Sequence, residues 1–92
     1  MHLGIYEFDG DPAQLLAAYD ELMSATPSSS IHWHLCASRP DGITIYDTCP
    51  TEEAFRRFST SPEFLDAVRA AGLPEPRVSG QAVHVARGSR TP

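Results

Sequence analysis

Histidine is the side chain in this sequence best suited to chemistry. The chain has four histidines. His32 and His34 stand two apart in Ile31-His32-Trp33-His34-Leu35-Cys36-Ala37-Ser38, and His84 lies between Val83 and Val85. A neutral imidazole gives and takes protons near pH 7 more readily than any other side chain. His34 and His84 are therefore candidate acid/base residues, and His32 is a candidate substrate contact. Two histidines at i, i+2 on a strand point the same way and could also hold a metal. No third ligand stands nearby and no CxxC or CxxH spacing occurs, so no metal is assigned. Asp47 is the second signal, because it interrupts the apolar run around Ile43 and Ile45. A buried carboxylate is costly unless paired, which makes Asp47 a candidate partner for a histidine. Tyr6, Cys36, Tyr46 and Cys49 are candidate substrate contacts around them. Each has a structural alternative: histidines as hydrogen-bonded filling, Asp47 as a strand-end residue in solvent, and the cysteines as free buried thiols.

Other chemistries lack their residues. The chain has no Lys, which removes Schiff-base chemistry and the phosphate-binding loop that needs one. There is no GxSxG elbow and no glycine-rich dinucleotide loop. Neither cysteine follows the pattern of a thiolate activated at a helix N-terminus. Trp33, Tyr6, Tyr19, Phe55 and Phe58 read as core or dimer contacts sooner than as a cofactor box, and no cofactor is expected. The net charge is −5. An acidic domain without a basic run is poorly suited to nucleic acid or to anionic membranes, both of which require positive surface. No stretch approaches the roughly 20 apolar residues that span a bilayer. The first residues lack the charged and apolar regions of a signal peptide, so the expectation is a cytoplasmic protein with reduced thiols.

The elements that must position these groups follow from local signals. Residues 2–8 read as a strand ended by Asp9-Gly10-Asp11-Pro12. Asp11 is an N-cap with Pro12 at the first helical position. Leu15, Leu16, Tyr19, Leu22 and Met23 then make one apolar stripe of a helix over 12 to about 25. Residues 31–38 alternate as a strand, Pro40-Asp41-Gly42 is a hairpin turn, and 43–49 return. Thr51 caps a helix carrying Ala54, Phe55 and Phe58, and Ser61-Pro62 predicts a kink at 59–61 before it resumes to Ala71. Gly72 reads as its C′ residue. Residues 77–87 read as the last strand.

The order is β-α-β-β-α-β: one α+β domain over 1–88 of ferredoxin-like type, with a four-stranded antiparallel sheet and a short tail over 89–92. Register inside the 31–49 hairpin stays open. A two-residue Asp41-Gly42 turn puts His34, Cys36, Asp47 and Cys49 on one face. A three-residue turn brings Tyr46 and Thr48 beside His34 and Cys36 instead. Two helices cover one sheet face, with Val83 and Val85 expected among them. The other face, expected to hold His32, His34 and His84, needs a second sheet, so a homodimer is expected. At 92 residues the chain is also short enough to need a supplement to its core.

This pattern resembles the dimeric α+β barrel superfamily, whose best-known members are the antibiotic biosynthesis monooxygenases. The resemblance covers nearly the whole chain. It rests on Ile5-Tyr6-Glu7-Phe8 before Gly10-Asp11-Pro12, on His34 ahead of Pro40-Asp41-Gly42, and on Ile45-Tyr46-Asp47 leading into Thr51-Glu52-Glu53-Ala54-Phe55. It continues through Ala71-Gly72-Leu73-Pro74-Glu75-Pro76 and Val83-His84-Val85. It is closest to the small actinobacterial-type members, which carry a histidine on the second strand and one on the last, where His34 and His84 stand. The resemblance implies a homodimer with a pocket. It also implies cofactor-independent oxidation, cyclisation or isomerisation of a small aromatic or polyketide-like molecule. Cys49 stands where relatives often have Trp, and the catalytic Asn of the oxygenase members has no counterpart, since the chain contains no Asn. The alternatives are a small-molecule-binding homodimer without catalysis and a purely structural dimer.

Overall fold

The computed structural model describes residues 1–25 and 33–88. Along the chain run β1 (His2–Asp9), α1 (Pro12–Ser24), β2 (His34–Arg39), β3 (Gly42–Cys49), α2 (Glu52–Ser59), α3 (Pro62–Ala70) and β4 (Arg77–Ala82). The strands form one four-stranded sheet in the order β2-β3-β1-β4, every neighbouring pair antiparallel. This is the expected ferredoxin-like α+β arrangement.

The helices start and stop where their own residues say. The Asp11 side chain accepts from the Gln14 N–H, Thr51 from Ala54 and Ser61 from Phe64, at 3.0–3.2 Å. Each cap satisfies an amide that the first helical turn leaves open. Ser61 and Pro62 split the second helical region into α2 and α3, as the sequence predicts. Gly72, at φ +90°, closes α3: its N–H reaches the Arg69 carbonyl and that of Leu73 reaches Val68.

Strand alternation sorts the sheet into two faces. His2, Gly4, Tyr6 and Phe8 of β1 are buried, while Leu3, Ile5 and Glu7 are only half-buried. Tyr6 pairs with Ile45 and Phe8 with Ile43, and all four join Leu15, Leu22, Phe55, Val68 and Leu73 in one core. That face lies under the helices. Trp33, at 47% exposed, and Leu35, at 59%, are on the other side.

Three expectations change. The hairpin turn is Pro40-Asp41, with Gly42 already paired to Arg39. Among the described residues no non-glycine has positive φ, so this turn does not use the conformation that Asp-Gly would supply. Gly42 is needed for room, because a Cβ there would strike the Phe8 carbonyl. The strand over 77–87 stops at Ala82, because its partner runs out: Ala82 pairs with His2, and the Val83 N–H takes the carbonyl of Met1. Val83 and Val85 therefore leave the sheet. With Ala86 they line a groove on the face away from the helices, beside Leu3, Trp33, His34, Leu35, Tyr46 and Thr48. Ile31 and His32 lie outside the described residues.

Candidate active site

The β2–β3 register answers the question the sequence leaves open. His34 pairs with Asp47 and Cys36 with Ile45. Ile45 belongs to the core under the helices, so parity carries His34, Cys36, Asp47 and Cys49 to the helix-covered side. Their sharing of one face follows the two-residue-turn reading, although the turn sits one residue earlier. The face itself is the opposite of the one expected. Phe8, Ile43 and Ile45 decide which side is buried, and they outweigh the apolar Trp33, Leu35 and Ala37 set of β2, which faces outward.

His34 has partners on both nitrogens. Its Nε2 lies 2.5 Å from the Tyr19 hydroxyl of α1, and the two rings stack at 5.8 Å between centroids, 14° from parallel. Its Nδ1 lies 3.6 Å from Asp47 Oδ1. That is too long for a direct hydrogen bond, and it leaves the carboxylate as the nearest charged group to that edge of the ring. With a neutral ring protonated at Nδ1, Nε2 keeps its lone pair and the Tyr19 O–H donates to it. The His34 and Asp47 side chains are 33% and 32% exposed, so a small molecule can reach the pair. Burial is the main force pushing the Tyr19 hydroxyl pKa above its ordinary range, and the charges of Cys36, Asp20 and Asp47 add to it. Tyr19 thus stays a neutral donor at neutral pH.

The same row of the sheet continues past Asp47. Asp47 pairs with Gly4 and Gly4 with Gly80, so His34, Asp47, Gly4 and Gly80 line up across all four strands. On one side of this row stands Tyr6, and on the other His2 pairs with Cys49. The Tyr6 hydroxyl is buried and has no hydrogen-bond partner among the described residues. Burial first, then the charges of Cys49 and Asp47, raise its pKa far above the ordinary value of 10.0. Burial also raises both thiols, helped by Asp20 at Cys36 and by Asp47 at Cys49. Both are free, as the sequence suggests, and both stay protonated at neutral pH. Their strand positions are set against Ile45 and Cys49, four residues apart on β3 and roughly 13 Å at about 3.3 Å per residue. That is too far for a disulfide.

Comparison with known proteins places this geometry in a known fold. No family model and no curated protein matches the sequence. Solved structures do. A candidate antibiotic biosynthesis monooxygenase of Chloroflexus aurantiacus is 17% identical, with 95% of this chain and 96% of that one covered at a TM-score of 0.65. One of Deinococcus radiodurans is 12% identical over 97% and 98%, at 0.63. SnoaB of Streptomyces nogalater, a cofactor-independent oxygenase, is 18% identical over 99% and 95%, at 0.51. The fold is theirs. At these identities the likeness carries the architecture and not the reaction.

Within that fold the named residues scatter. His34, Asp47, Cys36, Cys49 and Tyr6 share the helix-covered side. Tyr46 pairs with Leu35 and Ile5 on the opposite face, away from them. His84 is exposed beyond the end of β4, and no hydrogen bond or ion pair joins it to His34. His32 lies outside the described residues. Among the described residues no group of three or more His, Cys, Asp or Glu could hold a metal. Tyr19 is the site residue that sequence reasoning assigned to the core. Its place on the apolar stripe of α1 carries no mark of a hydroxyl turned toward a strand histidine, and only the packing of α1 on β2 shows it.

Proposed function

We propose that this protein is a cofactor-independent enzyme acting on a small aromatic or polyketide-like molecule, with His34 as general base. The observation that carries this reading is the line from Tyr19 through His34 to Asp47, half-open to solvent. Substrate gives up an acidic C–H or O–H proton. His34 Nε2 takes it, directly or through the Tyr19 hydroxyl that now occupies that nitrogen, and Asp47 stabilises the resulting imidazolium. Loss of such a proton is the first step shared by isomerisation, ring-closing condensation and reaction of the carbanion with dioxygen. A positioned base of this kind supplies about 10²–10⁴-fold. His84, exposed beyond β4, has no part in this scheme. The finding that SnoaB is a cofactor-independent oxygenase supports the reading without deciding which of the three reactions is run.

We further propose that the working form is a homodimer joined through the outward sheet face. Leu35, Tyr46 and Ile5 form one row there, and Thr48 pairs with Leu3 and is hydrogen-bonded to Trp33 in another. Such a surface on so small a domain calls for a cover.

Turnover decides the first proposal. Purified protein without added cofactor is offered a panel of flat phenols and aromatic ketones with an acidic C–H, followed by absorbance and by dioxygen uptake. Replacing His34 by Ala is expected to lower kcat/KM at least about 100-fold. Asp47→Asn is expected to lower kcat more than it changes KM, because the charge helps only once the proton has moved. Full activity in the His34 variant would remove the role assigned to it.

A further inference from the structure

The row that carries His34 and Asp47 ends in two glycines, and a ring already lies across them. A Cβ built on Gly4 would come within 2.7 Å of Phe55 Cε1 and 2.8 Å of Cδ1, and one built on Gly80 within 2.9 Å of Phe55 Cε2. The Phe55 ring therefore spans both glycines; a side chain at Gly4 would meet it first, and one at Gly80 would meet His2 Nε2 and then the Phe55 ring. Gly4 and Gly80 face each other across β1 and β4, forming a flat floor one strand wide on each side. His2 packs against the ring at 5.0 Å between centroids, tilted by 39°, and Tyr6 meets it edge-on at 6.2 Å.

Two polar side chains besides Asp47 border the floor: His2, whose Nε2 would lie against a Cβ on Gly80, and Tyr6, whose hydroxyl is unused. Tyr6 is 2% exposed, and its hydroxyl lacks a partner among the described residues. Its ring lies at the floor's edge: Tyr6 Cε2, the ring carbon beside the one bearing the hydroxyl, would lie 3.2 Å from a Cβ on Gly4. Buried hydroxyls in folded proteins are almost always hydrogen-bonded, and one that is not asks for an explanation. Phe55 fills the space over the glycines but offers this hydroxyl nothing.

We propose that the site takes a flat aromatic ring bearing an accepting oxygen, seated on the Gly4–Gly80 floor in the place Phe55 now fills, with that oxygen on the Tyr6 hydroxyl. Exchanging one ring for another keeps the apolar contacts on the floor. It adds the hydrogen bond that Tyr6 lacks, so the ligand has an advantage over Phe55 that an all-carbon ring would not have. The edge of the ring away from Gly80 then falls beside Asp47, one strand spacing from Gly4, about 4.8 Å. Within the substrate class proposed above, what this seat adds is the position of the ring and of its accepting oxygen. Bulky sp³ substituents on the ring faces are excluded by the backbone floor beneath. For the reaction this rests on the acid/base role proposed for His34; for binding it stands alone.

The probes are 1-indanone and indane, which share a shape and differ by the carbonyl. Amide NMR spectra of the protein are followed during titration with each. 1-Indanone is expected to move the Gly4 and Gly80 signals, and to bind about tenfold more tightly than indane, as one neutral hydrogen bond allows. Tyr6→Phe is expected to erase that difference. Phe55→Ala, which removes the competing ring, is expected to bind both probes about tenfold more tightly, as emptied apolar sites do; Phe55→Leu serves if that variant does not fold. Shifts confined to other residues would overturn the proposal, as would a Tyr6→Phe protein that still prefers 1-indanone. So would a Phe55 variant with no gain in affinity. His34→Ala is expected to bind 1-indanone as the wild type does. If that variant keeps its turnover while the probe still maps to the glycines, the acid/base reading fails and the floor stands. If turnover is lost but Tyr6→Phe binds unchanged, the floor alone fails.

Discussion

Tyr6 holds a hydroxyl in the core without giving it a partner, and this has a measurable consequence for stability. An unsatisfied buried hydroxyl costs about 1–3 kcal/mol relative to an apolar group of the same shape. Tyr6→Phe removes the oxygen and keeps the ring among Phe55, Phe58 and Phe64. The variant should be more stable by about 1 kcal/mol, which raises Tm by roughly 4–8 °C in a domain of this size. A protein that improves when a polar atom is deleted has kept that atom for another purpose. The pH dependence carries the same signature. The folded Tyr6 holds its proton well above the ordinary value of 10.0, whereas the unfolded chain releases it there. Its contribution is therefore complete below pH 10 and falls away as the pH rises beyond, at up to about 1.4 kcal/mol per pH unit. Chemical denaturation between pH 9 and 12 should show a shallower decline for Tyr6→Phe than for the wild type. Parallel curves would mean that the hydroxyl is solvated in the folded protein.

Among the elements, the β2–β3 hairpin depends most on a single side chain. Arg39 donates from Nε to Asp41 at 3.0 Å, and from Nη1 to the Ile43 carbonyl at 3.1 Å and Thr44 Oγ1 at 2.7 Å. Its Nη2 reaches Asp9 at 2.9 Å and the Phe8 carbonyl at 3.4 Å, so one guanidinium ties β2, the turn, β3 and the end of β1 together. Asp9 is also held by Arg77 of β4 at 2.9 Å. A lysine keeps the charge but cannot reproduce the fork. Arg39→Lys should therefore cost about 1–2 kcal/mol in thermal unfolding, after allowance for its exposed carboxylate partners. An unchanged Tm would show that the brace is replaced by water. The helices around this hairpin were readable because their signals are local: Asp11-Pro12, Thr51, Ser61-Pro62 and Gly72 each act on the next few residues. The face of β2 was not, because which side of a strand is buried depends on its pairing. Trp33, Leu35 and Ala37 make the outward side of β2 look like a core. Only the pairing of Cys36 with Ile45 shows that His34 goes inward. The end of β4 failed for a related reason: Val83-His84-Val85 alternates well, but β1 has no residue left to pair with it. Tyr19 and the glycine floor were illegible because they arise where a helix meets the sheet.

At the scale of the whole molecule, the outward face sets the last expectation. A chain of this length buries only about 60–65% of the surface that it exposes when unfolded, so a large apolar face left in water weighs heavily. The segment over 83–88 crosses part of it, with Gly88 against the Trp33 ring and Val83, Val85 and Ala86 along the groove. Leu35, 59% exposed at the far edge, is left beyond that cover. A second copy placing its own sheet there would bury about 800 Å² per partner if it reaches the usual size of a stable interface. Sedimentation should then give about twice the chain mass of 10.0 kDa at micromolar concentration. Because only the folded pair associates, Tm should also rise with protein concentration. Leu35→Arg puts a charge into that contact on both copies. The variant should sediment as a monomer with a lower and concentration-independent Tm, while its far-ultraviolet spectrum stays that of the folded sheet. A wild-type chain that remains monomeric at the highest concentrations would show that the 83–88 segment is cover enough. Since Leu35 points away from His34, the two outcomes also separate assembly from chemistry: a monomeric Leu35→Arg protein should still move the Gly4 and Gly80 signals when 1-indanone is added.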